Sequence, residues 1–348
     1  MKNPLAQDLD QILNCTGGLW EEVRGQRIFI TGGTGFFGCW LLESLLWAND
    51  QLTLGVSAVV LTRDPAAFER KAPHLATHPA VRLEQGDVRD FQAPDGDFPY
   101  VIHAATEASV RQAREEPLQM LDTIIDGTRR VLDFARSHGT KKLLLTSSGA
   151  VYGAQPSGIT HLAEDYAGGP DPANPLSVYS EGKRLAELLC ALYASRHGME
   201  CKIARCFAFV GPRLPLDIHF AIGNFIRDAT RGGPVQVNGD GTPYRSYLYA
   251  ADLAVWLWTI LFQGASCRPY NVGSEHDLSI ADLAREVAQA LDPAIPVRIA
   301  CPPDPGQPPA RYVPWTKRAR QELGLSEHVP LPEAIRRTAA WYGYGHAR

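Results

Sequence analysis

The chain has 348 residues, 45% of them hydrophobic and 21% charged, with 31 glycines and 26 prolines. A chain of this length buries a large core without disulfide or metal staples, and its ordinary composition excludes the disordered and collagen-like classes. The formal charge of −4, from 34 Lys and Arg against 38 Asp and Glu, lacks the cationic surplus of a general nucleic-acid binder, so no nucleic-acid partner is expected.

Residues 1–24 carry Leu9, Ile12 and Leu13 at helical spacing before a break at Gly17 and Gly18, which predicts a short helical extension packed outside the main fold. Met1 to Asn14 mix Lys2, Asp8 and Asp10 with scattered apolar residues and offer no signal-peptide core, so a cytoplasmic location is expected. From Arg27 onward, short apolar runs alternate with helical patterns. Ile28 to Ile30, Val56 to Leu61, Val81 to Leu83, Val101 to His103 and Leu143 to Thr146 read as strands, and Lys202 to Ala204 and Tyr270 to Val272 extend the series. The alternation predicts βαβ units around a parallel sheet. After the first run, Phe37, Trp40, Leu41, Ser44, Leu45 and Ala48 mark one buried helical stripe. Leu253 to Phe262 is apolar but far shorter than the roughly 20 residues of a membrane span, so it reads as a buried helix and no membrane partner is expected. Gly211-Pro212, Gly232-Gly233-Pro234 and the prolines from Pro302 to Pro309 punctuate the rest, suggesting a smaller second lobe built from discontinuous pieces. Cys15, Cys39, Cys190, Cys201, Cys206, Cys267 and Cys301 form no CxxC pair and no Cys/His metal spacing. Reduced thiols and no metal site are expected.

Three constellations carry chemistry. Thr31-Gly32-Gly33-Thr34-Gly35-Phe36-Phe37-Gly38 joins the first strand to the amphipathic helix. Gly32 permits the tight turn, Gly35 lets backbone approach a pyrophosphate, and Gly38 lets helix and strand pack closely, which points to a dinucleotide at the helix N-terminus. At the end of the second strand, where a carboxylate commonly takes the ribose hydroxyls of NAD, the chain reads Thr62-Arg63-Asp64. Arg63 offers a bidentate partner to a 2′-phosphate and favours NADP, whereas Asp64 turned inward would hold NAD. After the third strand, Asp87-Val88 can bring a carboxylate to an adenine amine, and a plain turn explains Asp87 equally well. The third constellation is Ser147-Ser148 at a strand end, followed by Tyr179 and Lys183 at i, i+4 on one helical face. A neighbouring ammonium and the positive charge of a nicotinamide favour a tyrosine phenolate, which would exchange a proton with a substrate oxygen held by Ser148.

Together with His103-Ala104-Ala105, Ser147 to Gly153, Gly211-Pro212, Gly239 to Arg245 and Tyr270 to Gly273, these motifs resemble the extended short-chain dehydrogenases/reductases of the NAD-dependent epimerase/dehydratase family. The resemblance implies an α/β fold, a Rossmann-type doubly wound parallel sheet of about seven strands with a smaller C-terminal α/β substrate lobe. It implies a dinucleotide domain over 25–206 plus 248–274 and a nucleotide-sugar lobe over 207–247 plus 275–348. Ser148, Tyr179 and Lys183 match the family's catalytic triad. Gly32, Thr34, Gly35, Phe36, Phe37, Gly38, Thr62, Arg63, Asp87, Val88, Ala104, Ala105 and Lys183 match its cofactor contacts. Thr106, Ser147, Asn224, Arg245 and Arg311 match its substrate contacts, the two arginines on a pyrophosphate. The implied partners are a nucleoside-diphosphate sugar and a second copy of the chain, joined through a helix pair.

Three departures bear on the reaction. Ala208 stands where many relatives carry Asn in the run Arg205 to Pro212, and no Asn of the familiar kind falls around Thr123 to Gly127. After Ser148 come Gly149 and Ala150, where dehydratases of the family have Asp-Glu and decarboxylating relatives a Glu. The expected reaction is therefore an NAD(P)-dependent epimerisation through C4 of a nucleotide-linked hexose. The alternative is an NADPH-dependent reduction of a 4-keto-6-deoxysugar. A 4,6-dehydratase would need an acid elsewhere, such as Glu107 or Glu181, and a non-catalytic regulatory member would not need the Tyr179 and Lys183 that this chain keeps.

Overall fold

A computed structural model describes residues 3–106, 110–218 and 220–345. Glu107 lies outside the described residues. The chain forms two compact units, the first from residues 1–153, 169–206 and 254–270 and the second from 154–168, 207–253 and 271–348.

In chain order the elements begin with α1 (Ala6–Thr16), a 3-10 turn (Gly17–Val23), β1 (Arg27–Thr31), α2 (Phe36–Leu52), β2 (Ser57–Thr62), α3 (Pro65–Lys71), α4 (Pro73–Ala76), β3 (Val81–Gln85) and β4 (Tyr100–His103). They continue through α5 (Val110–Glu115), α6 (Pro117–Ser137), β5 (Lys142–Ser148), α7 (Val178–His197), β6 (Glu200–Cys206), β7 (Phe209–Val210), α8 (Ala221–Thr230), β8 (Val235–Val237), β9 (Tyr244–Arg245) and β10 (Leu248–Tyr249). The chain ends with α9 (Ala250–Gln263), β11 (Pro269–Val272), β12 (Leu278–Ser279), α10 (Ile280–Leu291), β13 (Val297–Ile299), β14 (Arg311–Tyr312), α11 (Lys317–Leu323) and α12 (Leu331–Trp341).

Seven strands form one sheet in the order β11-β6-β5-β4-β1-β2-β3, and every ladder from β6 to β3 is parallel. The inner strands β1, β2, β4 and β5 are buried almost without interruption, as a sheet covered by helices on both faces requires, while the edge strand β3 is partly exposed. This is the doubly wound α/β fold, and the seven expected strand segments all fall within it. The strand order reverses between β1 and β4, which opens a crevice beyond their carboxyl ends.

Two expectations are corrected. Instead of one apolar stripe, α2 is buried from Gly38 through Leu46. Its remaining face is covered by α1, whose Leu9 and Ile12 are buried. The N-terminal segment is thus part of the first unit and not a piece packed outside it. The expected break falls at the Gly17-Gly18 pair, where α1 ends and a 3-10 turn begins that buries Trp20 completely. Trp20 stacks 5.0 Å from Trp258 of α9 and donates from Nε1 to Thr16 Oγ1 at 2.8 Å, while Trp258 Nε1 donates to Ser44 Oγ of α2 at 2.8 Å. Both indole N–H groups are therefore satisfied inside an apolar layer, which lets such large side chains be buried whole.

The second unit contains short ladders and helices. β9 pairs in parallel with β14, so that Tyr244 faces Arg311 and Arg245 faces Tyr312. α10 packs on α8 and α12.

Candidate active site

A cavity of about 900 Å³ opens in the first unit beyond the ends of β1, β2 and β4. Its wall includes Gly32, Thr34, Gly35, Thr62, Arg63, Asp87, Val88, Ala104, Ala105 and Thr106, so the sheet gathers most of the expected cofactor contacts into one place. Gly32 has φ +72°, and a Cβ there would lie 2.4 Å from the Ala104 carbonyl. No other residue fits. Gly38 is buried against the turn, where a Cβ would stand 2.3 Å from Gly33 Cα. α2 begins after Gly35 with no side chain capping it, so its first N–H groups can be satisfied by a ligand's phosphate oxygens. This open, backbone-lined end fits a dinucleotide. Phe36 and Phe37 lie outside the cavity wall, their rings 5.9 Å apart.

The end of β2 is decided by a helix cap. Asp64 Oδ1 accepts from Ala67 N at 2.9 Å, with Pro65 at the first position of α3. The carboxylate considered for the ribose hydroxyls is thus engaged with its own helix. Asp87 is likewise engaged, accepting from Arg89 Nε at 2.8 Å and Nη2 at 3.1 Å, and this partner holds its carboxyl below the usual range. Arg63, Lys71 and Arg89 line the same cavity, and Lys71 Nζ donates to the Thr34 carbonyl at 2.7 Å. Sequence reasoning missed Lys71 and Arg89, although the Asp64-Pro65 cap signal announces α3 and hence the reach of its last turn.

β5 and α7 bring the catalytic candidates together. Ser148 Oγ accepts from Ala150 N at 3.1 Å, starting the 3-10 turn Gly149–Tyr152, and shares a hydrogen bond with the Tyr179 hydroxyl. One turn along α7, Lys183 is buried and donates from Nζ to Thr106 Oγ1 at 2.7 Å and to the Thr146 carbonyl at 2.8 Å. Burial of Tyr179 works against the phenolate that the ammonium and a nicotinamide's positive charge are expected to favour. Enclosure of the hydroxyl pushes Tyr179 up to about 12, opposed mainly by the Ser148 hydrogen bond, and the lysine directs its protons elsewhere. Burial also lowers Lys183 to about 8. At neutral pH the pair therefore presents a phenol and an ammonium, and the phenol is a proton donor.

Ser147 is engaged elsewhere. Its hydroxyl donates to Glu187 Oε1 at 2.5 Å, Glu187 pairs with Arg205 at 2.7 Å, and Arg205 lies over the Tyr152 ring at 4.8 Å. Glu187 sits one turn beyond Lys183 on α7, a spacing visible in the sequence. Glu181 faces Arg184 at 3.6 Å, partly exposed and outside the cavity wall.

In the second unit, the β9–β14 register sets Arg311 over the Tyr244 ring at 3.9 Å and Arg245 at 5.9 Å from the Tyr312 centroid. Arg311 is also paired with Asp277, and Asn224 on α8 accepts from Arg227 at 3.2 Å. Among the described residues no cluster of three or more His, Cys, Asp and Glu is placed to hold a metal ion, and no helix is long and apolar enough to cross a membrane.

The profile of the NAD dependent epimerase/dehydratase family matches residues 28–273. The chain belongs to this family. It is 31% identical over 312 residues to UDP-glucuronic acid decarboxylase 6 of Arabidopsis thaliana, a match that covers 89% of this chain and 86% of that one. Its fold is similar to that of a Thermus thermophilus UDP-glucose 4-epimerase solved with NAD, with a TM-score of 0.73, 26% identity and 91% and 99% of the two chains covered. It is similar also to that of a Streptomyces venezuelae dTDP-glucose 4,6-dehydratase solved with NAD, with a TM-score of 0.77, 23% identity and coverage of 92% and 98%. Epimerase, dehydratase and decarboxylase thus share the framework described here, and what separates this member of the epimerase/dehydratase family from each is local.

Burial of Lys183 has a measurable consequence. Its folded-state pKa of about 8 lies below the ordinary 10.5, so the charge is held at a cost that is complete below pH 8 and relieved as pH rises toward 10.5. Lys183→Met should be more stable than the wild type at pH 7, by on the order of 2 kcal/mol, with the excess shrinking by pH 10. Urea unfolding at the two pH values checks this. A variant less stable at pH 7 would show that the bonds to Thr106 and Thr146 outweigh desolvation.

Proposed function

We propose that the protein reduces a keto group at C4 of a nucleoside-diphosphate sugar, drawing on NADPH bound in the cavity of the first unit. The observation that carries this reading is the partly buried Tyr179 hydroxyl, hydrogen-bonded to Ser148, whose desolvation favours the phenol over the phenolate. A carbonyl oxygen that gains charge needs a proton donor beside it, and a phenol raised to about 12 is one from the outset. The bound nicotinamide supplies the hydride. Ser148 holds the substrate oxygen, Tyr179 gives it a proton, and Lys183, fixed by Thr106, lends positive charge to the phenolate that remains.

Local chemistry supports this reading over those of two relatives. Loss of water from C5 and C6 needs a placed acid and base, and Gly149 and Ala150 supply neither. The same positions lack the Glu of the decarboxylating pattern. Epimerisation through C4 remains the second reading, favoured by the likeness to UDP-glucose 4-epimerase. It needs Tyr179 as a base first, and it regenerates its nicotinamide each cycle. Arg245 and Arg311 are proposed to hold the pyrophosphate, Arg311 by exchanging Asp277 for the ligand.

The deciding experiment offers purified protein NDP-4-keto-6-deoxyhexoses, NDP-hexoses and UDP-glucuronate, following NADPH by absorbance and products by NMR. Consumption of NADPH with keto-sugars alone is expected. Stereochemical inversion without net cofactor change would establish the epimerase, and carbon dioxide or a 4-keto-6-deoxy product would refute both readings. Tyr179→Phe should retain substrate binding and lose roughly 10² to 10⁴ in turnover.

The cofactor preference rests on Arg63, Lys71 and Arg89, which line the cavity while Asp64 and Asp87 already have partners. Arg63→Ala should weaken NADP binding by about 10- to 100-fold and leave NAD nearly unchanged. Equal weakening of both in calorimetry would remove the 2′-phosphate from the argument.

A homodimer is proposed through α6 and α7, where Leu118 is 75% exposed and Leu185, Leu188 and Leu192 form an exposed stripe at i, i+3, i+7. Sedimentation should show a dimer for the wild type and a monomer for Leu188→Glu. A monomeric wild type would leave this face without that role.

A further inference from the structure

His103 ends β4 at the reversal of strand order, and its ring is buried. Nδ1 lies 2.7 Å from Thr31 Oγ1 at the end of β1, and Nε2 lies 3.1 Å from Thr128 Oγ1 on α6. The direction of each bond follows from the protons available. The Thr128 hydroxyl donates to the Ile124 carbonyl at 2.6 Å, so toward His103 it accepts, and Nε2 carries the hydrogen. Burial, aided by the nearby Lys183 charge, lowers His103 to about 3 and keeps the ring neutral. Nδ1 is therefore an acceptor, and Thr31 donates to it. With its proton so used, Thr31 Oγ1 receives the Ala105 N–H at 3.3 Å. The bonds run one way, from Ala105 N–H through Thr31, His103 and Thr128 to Ile124.

The segment held by this chain touches both halves of the candidate site. Ala104 N donates to the Thr31 carbonyl at 3.0 Å, and the Ala104 carbonyl is the group that leaves Gly32 no room for a Cβ. Two residues after Ala104, Thr106 receives the Lys183 ammonium. We infer that His103, fixed as its Nε2–H tautomer between Thr31 and Thr128, is a positioning residue that sets the Ala104–Thr106 segment against the Gly32 turn and beneath Lys183. The inference rests on the reading that the cavity binds a nicotinamide dinucleotide. A histidine that merely filled the core would need neither a fixed tautomer nor the Thr31 arm.

The test has two arms. With ¹⁵N-labelled imidazoles in the ligand-free protein, long-range ¹H–¹⁵N spectra should show His103 neutral and protonated at Nε2 at pH 7 and still so at pH 5.5. An Nδ1–H ring, a tautomer mixture or a charged ring would overturn the inference. In the second arm, calorimetry measures NAD and NADP binding to Thr31→Val, which keeps the shape of the side chain and removes its hydroxyl, and to Thr31→Ser, which restores the hydroxyl. Thr31→Val should weaken whichever dinucleotide the wild type binds by about 10-fold or more, and Thr31→Ser should return it to within about threefold. A Thr31→Val protein that melts at lower temperature yet binds as tightly as the wild type would overturn the positioning role alone. Failure of the wild type to bind either dinucleotide would instead bring down the functional reading, and the positioning role with it.

Discussion

The site depends first on how closely the chain can pass itself beyond β1 and β4. Two parallel strands at the reversal of sheet order send their connections to opposite faces, and here the turn after β1 and the segment after β4 pass within contact. At Gly32 the approach leaves no space for even one carbon, and the backbone takes a left-handed conformation besides. Everything that follows uses that closeness. It lets Thr31 reach Ala105 N and His103 together, aims α2 at the cavity, and sets Thr106 where Lys183 can donate to it.

A second constraint is shared by groups that look unlike one another. Lys183 and His103 are pushed down, and Tyr179 and Cys206 are pushed up to about 12, in each case chiefly by burial. All four shifts favour the neutral form, because charge is poorly solvated there. Charge survives where it is paired. Arg205 of β6 is paired with Glu187 of α7, which in turn takes the Ser147 hydroxyl, so an ion pair ties that helix to β6 and a hydrogen bond ties it to the strand end bearing Ser148. In such surroundings one added charge has a long reach, and the protonation state of Tyr179 becomes sensitive to what binds beside it.

The sheet was legible because its inner strands are buried on both faces and so appear as short apolar runs, each ended by a glycine or polar turn. The order of the motifs then fixed the Gly32 turn, the Ser148 strand end and the Tyr179–Lys183 helix. What escaped depended on contacts between distant segments. Trp20 reads as an isolated aromatic until α9 supplies Trp258. Ser147 and Ser148 are neighbours in sequence, yet β-alternation sends them to different partners, Glu187 and Tyr179, and no pattern distinguishes the two hydroxyls beforehand. Asp64 was legible in part, since Asp-Pro is a helix-start signal, and that signal outweighs the ribose reading once α3 is recognised. The tautomer of His103 could not be read from sequence, because it depends on Thr128 spending its proton within α6.

Family membership leaves the reaction open. Removal or delivery of hydride at C4 is common to enzymes that invert, eliminate, decarboxylate or reduce, and these diverge through the group standing next to the carbonyl and the direction in which the first proton moves. Beside Ser148 this chain places Gly149 and Ala150, which begin a 3-10 turn capped by the Ser148 hydroxyl. No side chain there can shuttle a proton to C5 or C6. The remaining choice, between inversion and reduction, turns on Tyr179. An epimerase must first remove a proton from a sugar hydroxyl, so its tyrosine has to be ionised at the start of the cycle, whereas a ketone reductase must start with the proton in place. Burial gives this tyrosine the second condition, against the opposing pull of the Ser148 hydrogen bond. The reducing direction also begins with a neutral dihydronicotinamide, whose positive charge appears only as the hydride leaves. The engaged Asp64 and the cations Arg63, Lys71 and Arg89 on the cavity wall suit a phosphorylated dinucleotide, which is the form of cofactor the proposed reduction would consume.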